Sequence, residues 1–382
     1  MKILIIGASG QLGGALMHEC LKHSVNVTGT AHRRWCEGLL EADLTDRNSV
    51  KEIFSAVRPD MTVFCAGITD PDFCEEHPDD SRLINVGGAE AVAKLCNSFC
   101  SRMAYVSCDG VFDGACGPYS EDALASPQSE YGRAKLAAEE VCSKVKAGGL
   151  VVRTSGLYGC ATDAQNIVAQ LLIKSKNRER IIVPSDQFFT PTYVPDLATA
   201  LLLLILRGET GLFNVAGPEL MSQSDFAKMV CERLGLDAGI VDALSTAQLH
   251  QPAPRPLKAG LLCDKLYDET GFVMMRCANA LSLVRAQLSG IASESKPRRP
   301  RRKTDAQQKT QQQDAPPAPP PDAPQAETPE PSAPPTPPMP AAPPPPPMPR
   351  PAPPKRPARP APPPPVLPQI AAPKNPDEGE KL

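Results

Sequence analysis

The chain has 382 residues, a formal net charge of −3, and 41% hydrophobic and 22% charged side chains. That balance excludes a global attraction to nucleic acid. Thirteen cysteines, an odd number in a large chain, argue against a disulfide-stapled secreted scaffold and for reduced thiols acting as small apolar residues. The 45 prolines concentrate beyond residue 300, which divides the sequence into a folded part over 1–290 and a basic, proline-rich tail over 291–382.

The opening stretch MKILIIGASGQLG reads as a buried strand entering a glycine-rich turn, followed by the apolar helix GALMHECLKH. Gly7, Gly10 and Gly13 allow a tight turn and close passage of the backbone along a pyrophosphate, which the helix N-terminus then attracts. A lone glycine pattern is weak evidence; its position between a strand and a helix makes it strong. Met1-Lys2 runs straight into ILIIG, which is too short for a secretory leader. A cytoplasmic location and no membrane association are therefore expected.

The second strand, SVNVTGT, delivers His32, Arg33 and Arg34, where a carboxylate would serve the ribose 2′-hydroxyl of NAD. Paired arginines instead suit a 2′-phosphate. NADP(H) is thus the preferred cofactor, NAD(H) stays open, and a solvated basic loop is the plain alternative. Asp43-Leu44 ends the third strand within reach of an adenine. RPDMTVFCAG ends in the small pair Ala66-Gly67, RMAYVSCDGVF and GGLVVRTSGLYG supply further strands, and helical segments separate them. This alternation predicts an α/β fold, a doubly wound parallel Rossmann sheet with its ligand at the carboxyl ends of the strands. ATALLLLILRG is too short to span a bilayer and reads as a buried helix.

SEYGRAKLAAEE places Tyr131 and Lys135 on one face of a helix, one turn apart. In isolation such a pair is most often a surface ammonium beside a half-buried ring. In a nucleotide-binding frame, an ammonium and a cationic nicotinamide would lower the phenol pKa from about 10. The tyrosine would then pass a proton to a carbonyl oxygen.

Taken together, GASGQLG, VSCDGVFDG with PYSEDALASPQSEYGRAKLAAEE, VVRTSGLYG, SDQFFTPTYVPDLA, GLFNVAGPELMSQSDFA and PRPLKAGLLCDKL resemble the extended short-chain dehydrogenase/reductases. Within them the sequence is most similar to the dTDP-4-dehydrorhamnose reductase branch, which also holds the non-catalytic beta subunit of methionine adenosyltransferase. The resemblance implies a cofactor loop of Gly7, Ser9, Gly10, Gln11, Leu12 and Gly13. It implies Tyr131 and Lys135 as the catalytic pair, and Asn85 as a residue that helps hold the site. A small substrate lobe, mainly 155–195 and 215–290, would contribute Gln187, Thr190, Thr192 and Arg255, beside Thr154 at the end of its strand. The family's third catalytic hydroxyl aligns with Cys108, whose thiol is a weak donor. Ser107 is adjacent but, by strand alternation, faces the other way. Gly110 stands where the family often has tyrosine. Cys108 is a tolerated variant, a mark of weakened catalysis, or a redox-sensitive thiol.

The expected function is an NADP(H)-dependent reductase of a nucleotide-linked 4-keto-6-deoxy sugar, as in dTDP-rhamnose synthesis. The alternatives are an NADP-binding regulatory subunit and a nucleotide-sugar epimerase or dehydratase. A homodimer is left open. In the tail, KPRRPRRK reads as a solvated linker or a site for an acidic surface or nucleic acid, and RPAPPKRPARPAPPPP as a spacer or an SH3-type ligand.

Overall fold

Strand β1 (Lys2–Ile6) divides its side chains between two cores, as the alternation of a strand requires. Ile3 and Ile5 pack with Leu12, Leu16, Leu201 and Ile205. Leu4 and Ile6 pack with Phe54, Val92, Cys96 and Tyr105. A strand buried on both faces needs helices on both, which is why the sequence reads as unbroken aliphatic runs. The computed structural model describes residues 1–34, 36–160 and 166–294. The expected start of the tail at 291 is corrected, because the helix Cys277–Glu294 runs past it; the other expectations for the tail lie outside the described residues.

Six further strands join β1: β2 (Asn26–Ala31), β3 (Leu40–Glu41), β4 (Met61–Phe64), β5 (Arg102–Cys108), β6 (Gly149–Thr154) and β7 (Gly211–Asn214). All pair in parallel, in the order β7-β6-β5-β4-β1-β2-β3. Helices α1 (Gln11–Lys22) and α5 (Val194–Arg207) pack together over one face. Helices α2 (Arg47–Val57), α3 (Gly88–Phe99) and α4 (Glu130–Ser143) cover the other. This is the expected doubly wound fold. The connection reverses direction between β1 and β4, which opens a crevice at their carboxyl ends.

The apolar run beginning at Ala198 forms α5, with Leu197, Ala200, Leu201, Leu204 and Ile205 buried. Among the described residues, no helix is long and apolar enough to cross a membrane. All thirteen cysteines are unpaired, and Cys20, Cys74, Cys96, Cys142, Cys231 and Cys277 are fully buried.

Residues beyond β6 build a second core. Tyr158, Leu171, Ile181, Val183 and Tyr193 meet Phe226, Val230, Cys277, Leu281 and Val284 there. Three two-stranded pairs frame it, each joining an earlier segment to a later one; Ile181–Pro184, for example, pairs with Val241–Leu244. This is the lobe that faces the carboxyl ends of the sheet.

One ion pair fixes α4 against β6. Arg153 donates from Nε to Glu139 Oε1 at 2.9 Å and from Nη2 to Oε2 at 2.7 Å. The two side chains are only 5% and 7% exposed. Removing one partner of such a pair leaves an uncompensated charge and costs about 3–5 kcal/mol. Glu139→Ala should therefore lose about 3–5 kcal/mol of unfolding free energy in a denaturant titration. The double replacement Glu139→Leu with Arg153→Met should lose much less, and equal losses would refute this reading of the pair.

Candidate active site

The turn after β1 is as close as backbone allows. Gly7 has φ +92°, and a Cβ there would lie 2.9 Å from the Ala66 nitrogen at the end of β4. A Cβ on Gly13 would lie 2.3 Å from the Gly7 carbonyl oxygen. Helix α1 thus seats directly on the turn, with Leu12 buried beneath it. Asp46, Ser129 and Ser222 cap their helices with side-chain oxygens, whereas Gly10 gives α1 no side-chain cap. The first N–H groups of α1 are left for an anion, beside Ser9 and Gln11. Gln11 Oε1 is buried without a hydrogen-bond partner.

His32, Arg33 and Arg34 follow β2 as an exposed cluster at the same end of the sheet. Asp43 accepts from the Thr45 amide at 2.8 Å and the Thr45 hydroxyl at 2.7 Å. These bonds, with lesser help from His32 and Arg33, hold its carboxyl below the usual range. Leu44 beside it packs against the core that includes Phe64.

Asn85 serves the backbone. It lies in a π-helical turn, Arg82–Gly87, that leads into α3. Its Oδ1 accepts from the Ile68 amide at 2.8 Å, and its Nδ2 donates to the Ile68 carbonyl at 3.1 Å. A Cβ on Gly67 would lie 2.5 Å from that Oδ1. Asn85 therefore sets the path of Ala66, Gly67 and Ile68 along the crevice. Its widened turn is of a kind found often at functional sites.

Helix α4 begins at an N-cap, Ser129, which accepts from the Gly132 amide at 3.2 Å. This places Tyr131 in its first turn and Lys135 one turn on. Lys135 is buried, donates to the Val106 carbonyl at 3.0 Å, and stands 5.8 Å from the centroid of the Tyr131 ring. Burial lowers its pKa, against the opposing pull of Cys108 and Cys65. Cys108, the last residue of β5, lies next to the Tyr131 ring at Gly110. Burial pushes its thiol up to about 11, against the pull of Lys135. Such a thiol is scarcely ionised near neutrality, which weighs against the redox-sensitive reading.

The phenol shifts opposite to the expectation. Burial first, then the neighbouring Cys108, holds Tyr131 well above the ordinary range. Desolvation outweighs the ammonium, so Tyr131 is a neutral proton donor here. Ser107 does not replace Cys108. Alternation along β5 aligns it with Arg153, and its hydroxyl is buried without a partner. Gly110 leaves space over the pair: a Cβ there would lie 3.2 Å from Cys108 Sγ and 3.8 Å from the Tyr131 ring.

The lobe residues divide. Thr154 pairs in register with Cys108 and has a buried, unpartnered hydroxyl. Arg255 is bound through Nη2 to Asp72 at 2.7 Å, while its Nη1 is buried without a partner. Both retain hydrogen-bonding capacity for a ligand. Gln187, Thr190 and Thr192 are used within the protein. Gln187 donates to Thr246 and Gln251 and accepts from Gln223. Thr190 accepts from the Leu261 amide, and Thr192 bonds the Thr190 carbonyl and the Gly217 amide. The three are 5% exposed or less and hold the lobe's strands together. Asp109 was not among the expected site residues. It follows Cys108 directly and accepts from the Ser155 hydroxyl at 2.5 Å. Its sequence signals were its place just past β5 and its match to the aspartate of the family's Ser-Ser/Thr-Asp pattern.

A family model described as the RmlD substrate binding domain matches residues 1–289. A dTDP-4-keto-6-deoxy-D-glucose reductase of Streptomyces niveus is 32% identical over 275 residues, covering 72% of this chain and 92% of its own. The methionine adenosyltransferase 2 subunit beta of Xenopus laevis is 29% identical over 273 residues, covering 69% and 81%. Among solved structures, a dTDP-4-dehydrorhamnose reductase of Bacillus anthracis in complex with NADP superimposes with a TM-score of 0.68 at 28% identity, over 75% of this chain and 99% of that one. The glycine turn, the Tyr131–Lys135 helix and the lobe all fall inside the matched range, and the chain belongs to the RmlD substrate-binding-domain family.

Proposed function

We propose that the protein is an NADP(H)-dependent reductase of a nucleotide-linked 4-keto-6-deoxy sugar. The observation that carries this reading is the placement of Tyr131, a half-buried phenol, beside Lys135 at the carboxyl end of β5. The residues present fit the dinucleotide. The uncapped N-terminus of α1, Gly7 and Gly13 suit the pyrophosphate, Arg33 and Arg34 the 2′-phosphate, and Asp43 the adenine. When bound, NADPH supplies the hydride.

The chain's own groups do the rest. Tyr131 donates its proton to the sugar's carbonyl oxygen as negative charge develops there. A raised phenol pKa keeps that proton available in the ground state, and the nascent alkoxide is basic enough to take it. Lys135, fixed on the Val106 carbonyl, has further N–H bonds that would hold the nicotinamide ribose. Cys108 occupies the position of a hydroxyl donor, and its thiol is a weaker donor than that hydroxyl. Thr154 and Arg255 are the lobe's contacts for sugar and nucleotide.

A second reading has one specific observation behind it, the thiol at position 108 together with the regulatory-subunit relative. It holds that the protein binds NADP(H) and a partner protein without efficient turnover.

Three outcomes test the reading. Tyr131→Phe should lower kcat about 10²–10⁴-fold in NADPH oxidation with a dTDP-4-keto-6-deoxy sugar, while NADPH binding followed by fluorescence stays within about twofold. Unchanged turnover would remove Tyr131 from the mechanism. Replacing Arg33 and Arg34 by serine should weaken NADPH about tenfold or more and leave NADH little changed; equal effects on both would assign the arginines elsewhere. Cys108→Thr should raise kcat about tenfold or more if the hydroxyl's absence limits the rate. A fall would mean that the sulfur itself is needed.

A further inference from the structure

Asp109 is the point where the catalytic strand and the lobe meet. Its Oδ2 accepts from the Ser155 hydroxyl, just past the end of β6, at 2.5 Å, and from the Gly260 amide in the returning lobe segment at 3.3 Å. Ser155 Oγ in turn accepts from the Thr190 amide at 3.2 Å, and Thr190 Oγ1 accepts from the Leu261 amide at 3.2 Å. Ser155 and Thr190 are 1% and 3% exposed. The carboxylate thus joins segments 46 and 151 residues away, directly beside Cys108.

We propose that Asp109 is a positioning residue that holds the lobe, through Ser155 and Gly260, in register with Cys108 and Tyr131. The proposal rests on the reductase reading for its kinetic consequences. Its geometric basis does not depend on that reading. A half-buried carboxylate serving only the local turn would need no partner from the lobe, and a neutral amide would link Ser155 and Gly260 equally well. The charge has a separate consequence. Among the described residues, the titratable groups that face Asp109 are Cys108 on its own segment and Tyr131 on α4, and its charge pushes both upward. Lys135, also on α4, faces Cys108. Ser155, Gly260 and the amide of Gly110 contribute hydrogen bonds only, and burial outweighs them in raising the Asp109 carboxyl.

The test uses the full chain, NADPH and a dTDP-4-keto-6-deoxy sugar, with Asp109→Asn and Ser155→Ala. Asp109→Asn removes the charge but keeps, through its amide oxygen, one acceptor for both Ser155 and Gly260, so KM should stay within about twofold of wild type. The variant should move the alkaline limb of the kcat–pH profile to lower pH, because Tyr131 then loses its proton more easily. Ser155→Ala keeps the charge and cuts the link, so it should raise KM and leave that limb in place. Wild-type KM in Ser155→Ala, or a limb that moves equally in both variants, overturns the proposal.

If the wild-type chain turns over no sugar, the reductase reading falls, and thermal unfolding still tests the link. A carboxyl with a raised folded-state pKa contributes stability at low pH that is lost as pH rises through that pKa. Asp109→Asn should therefore gain melting temperature relative to wild type as pH rises from below about 4, the unfolded carboxyl range, to neutrality, whereas Ser155→Ala should melt lower than wild type throughout. A pH-independent difference for Asp109→Asn, with Ser155→Ala melting as wild type, overturns the proposal.

Discussion

The site depends on how closely backbone can approach backbone where β1 and β4 end. At Gly7 and Gly13 there is no room for a Cβ, and both contacts are to main-chain atoms that cannot move aside. That closeness seats the open N-terminus of α1 over the crevice, and it fixes Ala66 beside the turn. Asn85 then holds the next two residues of the same edge. The anion site, the floor of the crevice and the catalytic strand are thereby set against one another by main-chain contacts, which tolerate little displacement.

Against that frame, the chemistry is a contest between desolvation and charge. Lys135 alone would favour phenolate at Tyr131. Burial and Cys108 instead keep the phenol protonated, and the same burial lowers the pKa of Lys135 itself. A proton donor is what reduction of a carbonyl requires, so the shift is in the useful direction for that chemistry. Cys108 divides the two functional readings, since its thiol is a weak donor where a hydroxyl could give a hydrogen bond to the substrate.

Much of this was legible in the chain because the signals are local. The glycine turn, the aliphatic strands, the apolar run of α5 and the spacing of Tyr131 and Lys135 each occupy a dozen residues or fewer, with a period that reports their burial. What escaped was long-range. Asp109 looks like an ordinary turn residue until Ser155 and Gly260 are folded onto it. Gln187 looks like a substrate contact until Thr246, Gln251 and Gln223 are seen to use its amide. The direction of the Tyr131 shift was missed for a related reason, because desolvation is set by everything packed around the ring and a motif names only one neighbour.

The most direct measurement is transfer of isotope. The full chain would be incubated with NADPH carrying deuterium at both nicotinamide C4 positions and a dTDP-4-keto-6-deoxy sugar, and the sugar product weighed by mass spectrometry. The reductase account predicts a product that carries one deuterium at C4 of the sugar. Label confined to the cofactor, in a protein that nonetheless binds NADPH, would contradict it and leave the regulatory reading.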